Sequence, residues 1–485
     1  MSISAEFKRA SVQSGAWRIG SQAVQLVLGI GSGALLARLL TPADFGVLAM
    51  VTPFAGFLAS FKDFGLPLAA VQARELEDDA LSALFWLNLR LSGGLLLFML
   101  LLAPLLARFY GESRVTWIVL LIGLSMFAES LTNQSRSLLM RRMKFDQLVR
   151  LELAAQFAAT AAAIAAALAG WGVWALVLQI VLLAVVKSGL IWWAAGWRPV
   201  RRPNRQLPIN QMTRYGRDVT ASRAVAQIGR NLDRVIVGYF SGAAVLGLYN
   251  NAYRWSLLPL QQLYTPLMGV AVSALSRVQD DAPLYRRYFG RGITPLLSIV
   301  TPTLVFLSAE ARAAVLFLLG DQWVDAIPFF RLLCLAALAE SLNKLIKWLY
   351  LSQGETRRQF AWSLLYMVGM VSALAIGVRQ GAIGVAWAYT LASWGLLLPG
   401  LWLCLAVVPP TLGDLIGASW RPLLASAGAL LALLPLPTLA PLPQLALSGV
   451  TFGVAYVALW VALPGGWRAL QELLTLRQYL GRSES

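Results

Sequence analysis

Ten basic side chains fall inside otherwise apolar stretches of the chain: Arg18, Arg90, Arg136, Lys187, Arg223, Arg230, Arg234, Arg254, Lys344 and Lys347. Three acids, Glu129, Asp233 and Glu340, are embedded with them. An ionised side chain in a bilayer interior is costly unless it snorkels, pairs or meets water. Arg90, Arg254 and Lys187 stand where a long side chain can snorkel to a helix end. Asp233 is flanked by Arg230 and Arg234, and Glu340 reaches Lys344 one helical turn on. Several cations remain after this pairing, and their spacing points to a third use. Arg18, Gln22, Gln25 and Gly29 follow i, i+4, i+7, i+11 and form one polar stripe on a helix. Arg223, Gln227, Arg230 and Arg234 form a second stripe with the same spacing. Stripes of this kind line a wet cavity that binds an anion, or else they glue helices together through hydrogen bonds. Arginine outnumbers lysine 34 to 6, and the planar guanidinium fork suits phosphate oxygens. The candidate binding set is therefore Arg18, Gln22, Gln25, Arg223, Gln227, Arg230 and Arg234, joined by Lys344 and Lys347. Asp233 is the candidate carboxylate for ion coupling, with a salt bridge to its arginine neighbours as the other reading.

The surroundings of these residues exclude most other chemistry. The chain has 485 residues, 58% hydrophobic and 13% charged. At roughly 20 apolar residues per transmembrane helix, that composition supports on the order of a dozen or more spans. A soluble enzyme is excluded. With no histidine and two cysteines, Cys334 and Cys404, neither a Ser-His-Asp site, nor a usual zinc site, nor a disulfide scaffold is available. No enzyme activity, metal or cofactor is expected. The polar, mildly basic start of the chain does not read as a cleaved signal peptide.

Fourteen apolar segments can be drawn: 17–40, 45–61, 81–107, 115–138, 151–169, 172–193, 217–240, 246–276, 292–308, 327–352, 360–378, 381–407, 420–436 and 445–463. With the N-terminus inside, the cytoplasmic segments hold 24 Lys and Arg and the opposite side holds 6. That asymmetry predicts both termini in the cytoplasm. It also accounts for most of the net charge of +17 without a nucleic-acid partner. The basic run 198–205 reads as a topological anchor, with contact to anionic lipid as a second role.

The chain repeats itself. Phe127-Ala-Glu-Ser-Leu131 recurs as Leu338-Ala-Glu-Ser-Leu342, and seven residues after each glutamate stands a cation, Arg136 or Lys347. Glu129 and Glu340 are expected to orient those cations or to pair with neighbouring helices, a structural role shared with Arg136. Gly172-Val-Trp-Ala175 is echoed by Gly384-Val-Ala-Trp387, and 39–46 by 239–247 with one insertion. An even number of spans between matched copies means that the copies run in the same direction. The expected fold class is an all-α polytopic membrane protein of about fourteen transmembrane helices. Two parallel-repeat six-helix lobes would surround a central cavity, with two further helices at the C-terminus. The expected boundaries are 1–197 for the first lobe, 198–216 for a basic cytoplasmic linker and 217–408 for the second lobe. Residues 409–466 would hold the added helices and 467–485 a cytoplasmic tail.

Three stretches carry a resemblance to a known family. They are Ala37-Arg-Leu-Leu-Thr-Pro-Ala-Asp-Phe-Gly-Val-Leu-Ala-Met50, then Asn231-Leu-Asp-Arg-Val-Ile-Val-Gly-Tyr-Phe240 running on to Arg254, then Leu318-Leu-Gly-Asp-Gln-Trp-Val-Asp-Ala-Ile-Pro328. In order and spacing they resemble the Wzx-type polysaccharide-unit flippases, exporters of lipopolysaccharide and exopolysaccharide units in the multidrug/oligosaccharidyl-lipid/polysaccharide superfamily. The colanic-acid-like and xanthan-like branches look closest. The resemblance implies a flippase of the bacterial inner membrane that carries undecaprenyl-pyrophosphate-linked oligosaccharide units from the cytoplasmic to the periplasmic leaflet by alternating access. It implies no cofactor, a functional monomer in the lipid bilayer, and polysaccharide polymerase and chain-length machinery as candidate partners. A lipid II flippase and a drug or cation antiporter share the fold and are the alternatives. A membrane polysaccharide polymerase or ligase is the alternative from another class, and the short outward connections speak against it.

Overall fold

A computed structural model describes residues 24–62, 78–200, 227, 231–467 and 471. The chain is an all-α polytopic membrane protein, and its described residues divide into two compact units, Met1–Gly247 and Leu248–Ser485. Among the described residues, nine stretches are long and apolar enough to cross a membrane.

The first unit begins with α1 (Val24–Leu39) and α2 (Pro42–Lys62), followed by α3 (Asp78–Tyr110) and α4 (Arg114–Ser130). A short α5 (Asn133–Arg141), then α6 (Phe145–Leu168) and α7 (Val173–Ala195), complete its main bundle. The apolar segment 115–138 is not one helix. It breaks at Leu131–Thr132 between α4 and α5, where Thr132 leaves helical geometry and its hydroxyl bonds the Glu129 carbonyl at 2.9 Å. Residues 197–200 strap back across α3: Val200 donates to the Ser82 hydroxyl at 2.9 Å, and the Trp86 indole donates to the Val200 carbonyl at 2.8 Å.

The next helix, α8 (Leu232–Ser276), is kinked at Gly242, whose φ of 76° suits a residue without a side chain. Segments 217–240 and 246–276 therefore meet head to tail at this glycine. The first unit ends just past the kink, at Gly247. The second unit continues with α9 (Ala282–Ala309), α10 (Ala311–Leu318), α11 (Ile327–Ser352), α12 (Thr356–Gly377), α13 (Gly381–Leu405), α14 (Leu412–Leu431) and α15 (Pro441–Ala462). Its core gathers Leu260, Tyr285, Phe289, Leu345 and Trp348 from α8, α9 and α11. Helix α11 is long enough to span, yet it carries Arg331, Glu340, Lys344 and Lys347, so composition alone does not mark it as a span.

The motif at 39–46 explains itself once folded. Thr41 and Asp44 form a reciprocal cap on α2: Asp44 Oδ2 accepts from the Thr41 hydroxyl at 2.7 Å and the Thr41 N–H at 3.0 Å, while Thr41 Oγ1 accepts from the Asp44 N–H at 3.3 Å. The second oxygen, Asp44 Oδ1, accepts from the Val173 N–H at 2.9 Å, at the start of α7. One carboxylate thus caps two helices 129 residues apart. Two residues on, the backbone of α2 touches that of α8. A Cβ on Gly46 would sit 1.6 Å from the Ala243 carbonyl oxygen, and one on Gly247 would sit 1.8 Å from that of Pro42. The two copies of the 39–46 motif therefore meet, and glycine is required in both.

Replacing Asp44 with alanine removes two caps at once, at roughly 1 kcal/mol each. The expected result is a lowered thermal midpoint of the purified protein in detergent. Gly46→Ala is expected to lower it at least as far, since overpacking costs about 1–3 kcal/mol. Gly94→Ala, where an added Cβ meets open space, is expected to leave it unchanged.

Candidate functional site

Just before α8, Asn231 links two residues of the expected stripe, Gln227 and Arg234. Asn231 donates through Nδ2 to the Gln227 carbonyl at 2.9 Å and accepts through Oδ1 from Arg234 Nη1 at 2.8 Å. The Gln227 side chain lies against α2, where a Cβ on Gly56 would come within 2.5 Å of its amide nitrogen. Asp233 is buried, 3% exposed, beside a half-buried Arg234. Gln25 is half-buried near the start of α1. Arg18, Gln22, Arg223 and Arg230 lie outside the described residues. Asn231 falls outside the i, i+4, i+7, i+11 spacing of the stripe. Its place in Asn231-Leu-Asp-Arg234, one turn from Gln227, was the available signal.

The repeated glutamates both reach the closing helix of their repeat, but they find different partners. In the first unit Glu129 on α4 forms an ion pair with Lys187 on α7, each about a quarter exposed. The neighbouring turn is tied by Thr132 and Ser188, whose hydroxyls are 3.5 Å apart. Lys187 is thus drawn onto an acid instead of snorkelling. Arg136 bonds Glu152 on α6 at 2.8 Å, so these pairings run across helices and not along one. In the second unit Glu340 on α11 accepts a hydrogen bond from the Tyr389 hydroxyl on α13. Tyr389 in turn lies 3.3 Å, hydroxyl to hydroxyl, from Tyr253 on α8.

The two lysines of α11 are placed differently. Lys344 is half-buried, its ammonium 5.0 Å from the centroid of Tyr264, whose hydroxyl donates to the Lys344 carbonyl at 3.0 Å. Stacking of a cation on an aromatic face partly replaces lost hydration. Lys347 is exposed. Tyr264 and Tyr389 carry no signature in a sequence window, and Tyr253 stands in the 231–254 stretch without a sign of its partner; the packing of α8, α11 and α13 brings them to these charges.

A half-buried ion pair loses more from removal of one member than from removal of both. Lys187→Met is expected to destabilise the protein by about 1–3 kcal/mol, by leaving a carboxylate without its ammonium. Adding Glu129→Gln is expected to recover much of that loss. Thermal midpoints of the two single variants and the double variant form the cycle that checks it.

Comparison with known proteins places these features. The family described as polysaccharide biosynthesis protein matches residues 35–328. The teichuronic acid biosynthesis protein TuaB of Bacillus subtilis is 26% identical over 427 residues, covering 86% of this chain and 87% of its own. The lipopolysaccharide biosynthesis protein WzxC of Escherichia coli is 23% identical, covering 79% and 78%. The succinoglycan biosynthesis transport protein ExoT of Rhizobium meliloti is 24% identical, covering 83% and 78%. Among solved structures, the lipid II flippase MurJ in an inward closed conformation superposes with a TM-score of 0.72 at 15% identity, over 95% of this chain and 99% of that one. An inward-facing multidrug transporter of the MATE family gives 0.60 at 14% identity, over 78% and 93%. At those identities the likeness is one of fold. The family match spans more than half of the chain and takes in both the Thr41–Asp44 cap and the Asn231–Arg234 stripe, and the chain belongs to the polysaccharide biosynthesis protein family, on the fold of multi-pass membrane transporters.

Proposed function

We propose that this protein is a flippase for undecaprenyl-pyrophosphate-linked oligosaccharide units, moving them from the cytoplasmic to the periplasmic leaflet for exopolysaccharide or lipopolysaccharide assembly. The observation that carries the reading is the family match over 35–328 on a flippase-type fold. The excess of embedded bases over acids supports an anionic cargo. The pyrophosphate–sugar head group would pass through a cationic cavity by alternating access while the polyprenyl chain stays in lipid. Arg18, Gln22, Gln25, Arg223, Gln227, Arg230 and Arg234 are the residues proposed to hold the head group, with Lys344 and Lys347 beside them. In Arg234, already held by Asn231, the guanidinium is oriented before substrate arrives, which limits the entropy cost of binding.

The proposed setting is the bacterial inner membrane, with both termini in the cytoplasm and the polymerase and chain-length machinery receiving the product. The 24-to-6 distribution of Lys and Arg supports this orientation. A lipid II flippase shares the fold, but the relatives found by sequence are named for teichuronic acid, lipopolysaccharide and succinoglycan, which favours a polysaccharide unit.

Loss of one charge-assisted phosphate contact costs about 1.5–3 kcal/mol, or roughly 10- to 150-fold in binding. Arg→Ala at positions 18, 223, 230 and 234 is expected to lower polymer export by a comparable factor, measured in cells and normalised to protein in the membrane. Arg→Lys is expected to restore it only in part, because the charge stays and the fork is lost. Unchanged export in all four alanine variants removes these residues from the cavity. The orientation has its own check. Cysteines introduced at Arg205 and Ser485 are expected to resist a membrane-impermeant thiol reagent in intact cells and to react once the membrane is opened.

A further inference from the structure

The repeat places Glu129 and Glu340 alike, yet one meets an ammonium and the other a phenol. The difference is chemical. An ammonium only donates, so its bond to a carboxylate is lost when the carboxylate takes up a proton. A phenol both donates and accepts, and so stays bonded to glutamate in either protonation state. The phenol of Tyr389 also has the second phenol of Tyr253 within 3.3 Å, so three oxygens from α11, α13 and α8 stand in line.

We propose that Tyr253, Tyr389 and Glu340 form a proton relay inside the second unit, with Glu340 as the group that is loaded and unloaded. With Glu340 ionised, Tyr389 donates to it and Tyr253 donates to Tyr389. A proton arriving at the Tyr253 oxygen lets Tyr253 pass its own proton to Tyr389, and Tyr389 passes its own to Glu340. At the end Glu340 is a neutral acid donating to Tyr389, Tyr389 donates to Tyr253, and each phenol again holds one proton. Only O–H bonds are exchanged, and the carboxylate charge is neutralised.

The surroundings are built from groups that hold this line in place. Asn343, one turn from Glu340, donates to the Ser393 carbonyl at 3.0 Å, and the Ser393 hydroxyl donates to the Tyr389 carbonyl at 2.8 Å. Among the described residues, several charged and titratable side chains stand near the relay, and Tyr249 stacks on Tyr253 with ring centroids 6.4 Å apart. Lys344 lies one turn along α11 with its ammonium over Tyr264, and Arg254 follows Tyr253 on α8, 5.7 Å from the Trp255 ring. On α9, Tyr285 is tied to Ser352 at the far end of α11, and Arg312 on α10 is exposed.

The proton site stands by itself, whereas its part in transport rests on the flippase reading. The experiment therefore has two arms. In the first, the full-length protein in liposomes, without lipid-linked substrate, is titrated over a wide pH range by difference infrared spectroscopy. A carboxylic-acid carbonyl band is expected to rise and fall with pH and to be absent in Glu340→Gln. Tyr389→Phe, which preserves shape, is expected to move its midpoint by about one pH unit, the equivalent of one hydrogen bond to a charged group. Tyr253→Phe is expected to move it less. A band that persists in Glu340→Gln, a midpoint unmoved in Tyr389→Phe, or a band that follows sodium instead of pH overturns the relay. If Glu340→Gln does not fold, the Tyr389→Phe midpoint decides alone.

In the second arm, polymer export normalised to membrane protein is expected to fall about tenfold or more in Glu340→Gln, the scale of losing one 1.4 kcal/mol step. Undiminished export in a variant that has lost the band overturns the coupling role. Failure of the wild-type protein to move any lipid-linked oligosaccharide at any pH, with the infrared band intact, is instead a failure of the flippase reading.

Discussion

An ionised side chain inside an apolar helix bundle must be paired, hydrogen-bonded or wetted, because the lost hydration is not otherwise replaced. That constraint organises both units of this protein. On helix α11, Glu340 takes a phenol and Lys344 an aromatic face as partners. Helix α4 likewise depends on Lys187 reaching across from α7. Each pairing joins two helices that are far apart in the chain, so the charges do structural work while they wait for any role in transport.

The repeat shows how the same local sequence can be used in two ways. The motif Ala-Glu-Ser-Leu sits at a helix break in the first unit and within an unbroken helix in the second. After the shared motif, the first copy continues Thr132-Asn-Gln-Ser135, and the Thr132 hydroxyl bonds the Glu129 carbonyl and competes with the helix. The second copy continues Asn343-Lys-Leu-Ile346, and its asparagine is occupied with Ser393 on α13. The residues after the shared motif separate a helix break from a continuous helix, while Lys187 in one unit and Tyr389 in the other set the partner of the glutamate.

The segment 41–47 is the junction of the first unit. A single carboxylate, Asp44, closes the N-termini of α2 and α7, and two glycines allow α2 and the kinked start of α8 to touch through their backbones. Both fix where helices begin and how closely they approach. The kink at Gly242 has the same character, since it redirects the chain within one continuous run of helix.

The sequence by itself determined that the chain is helical and crosses the membrane many times, because hydrophobic length is a one-dimensional property. It also determined the existence of the repeat, the scarcity of embedded acids and the resemblance carried by 37–50 and 231–254, all of which are matters of order and count. Helical spacing put Gln227 and Arg234 on one face, and Asn231 bonds both. What a spacing cannot show is the partner on another helix. Lys187 for Glu129, Glu152 for Arg136, Tyr389 and Tyr253 for Glu340, and Val173 for Asp44 were decided by tertiary packing. The break after Ser130 was hidden as well, because an apolar window averages over the few polar residues that cause it. Pairing across 49 or 129 residues depends on how helices are brought together, and no local rule carries that information.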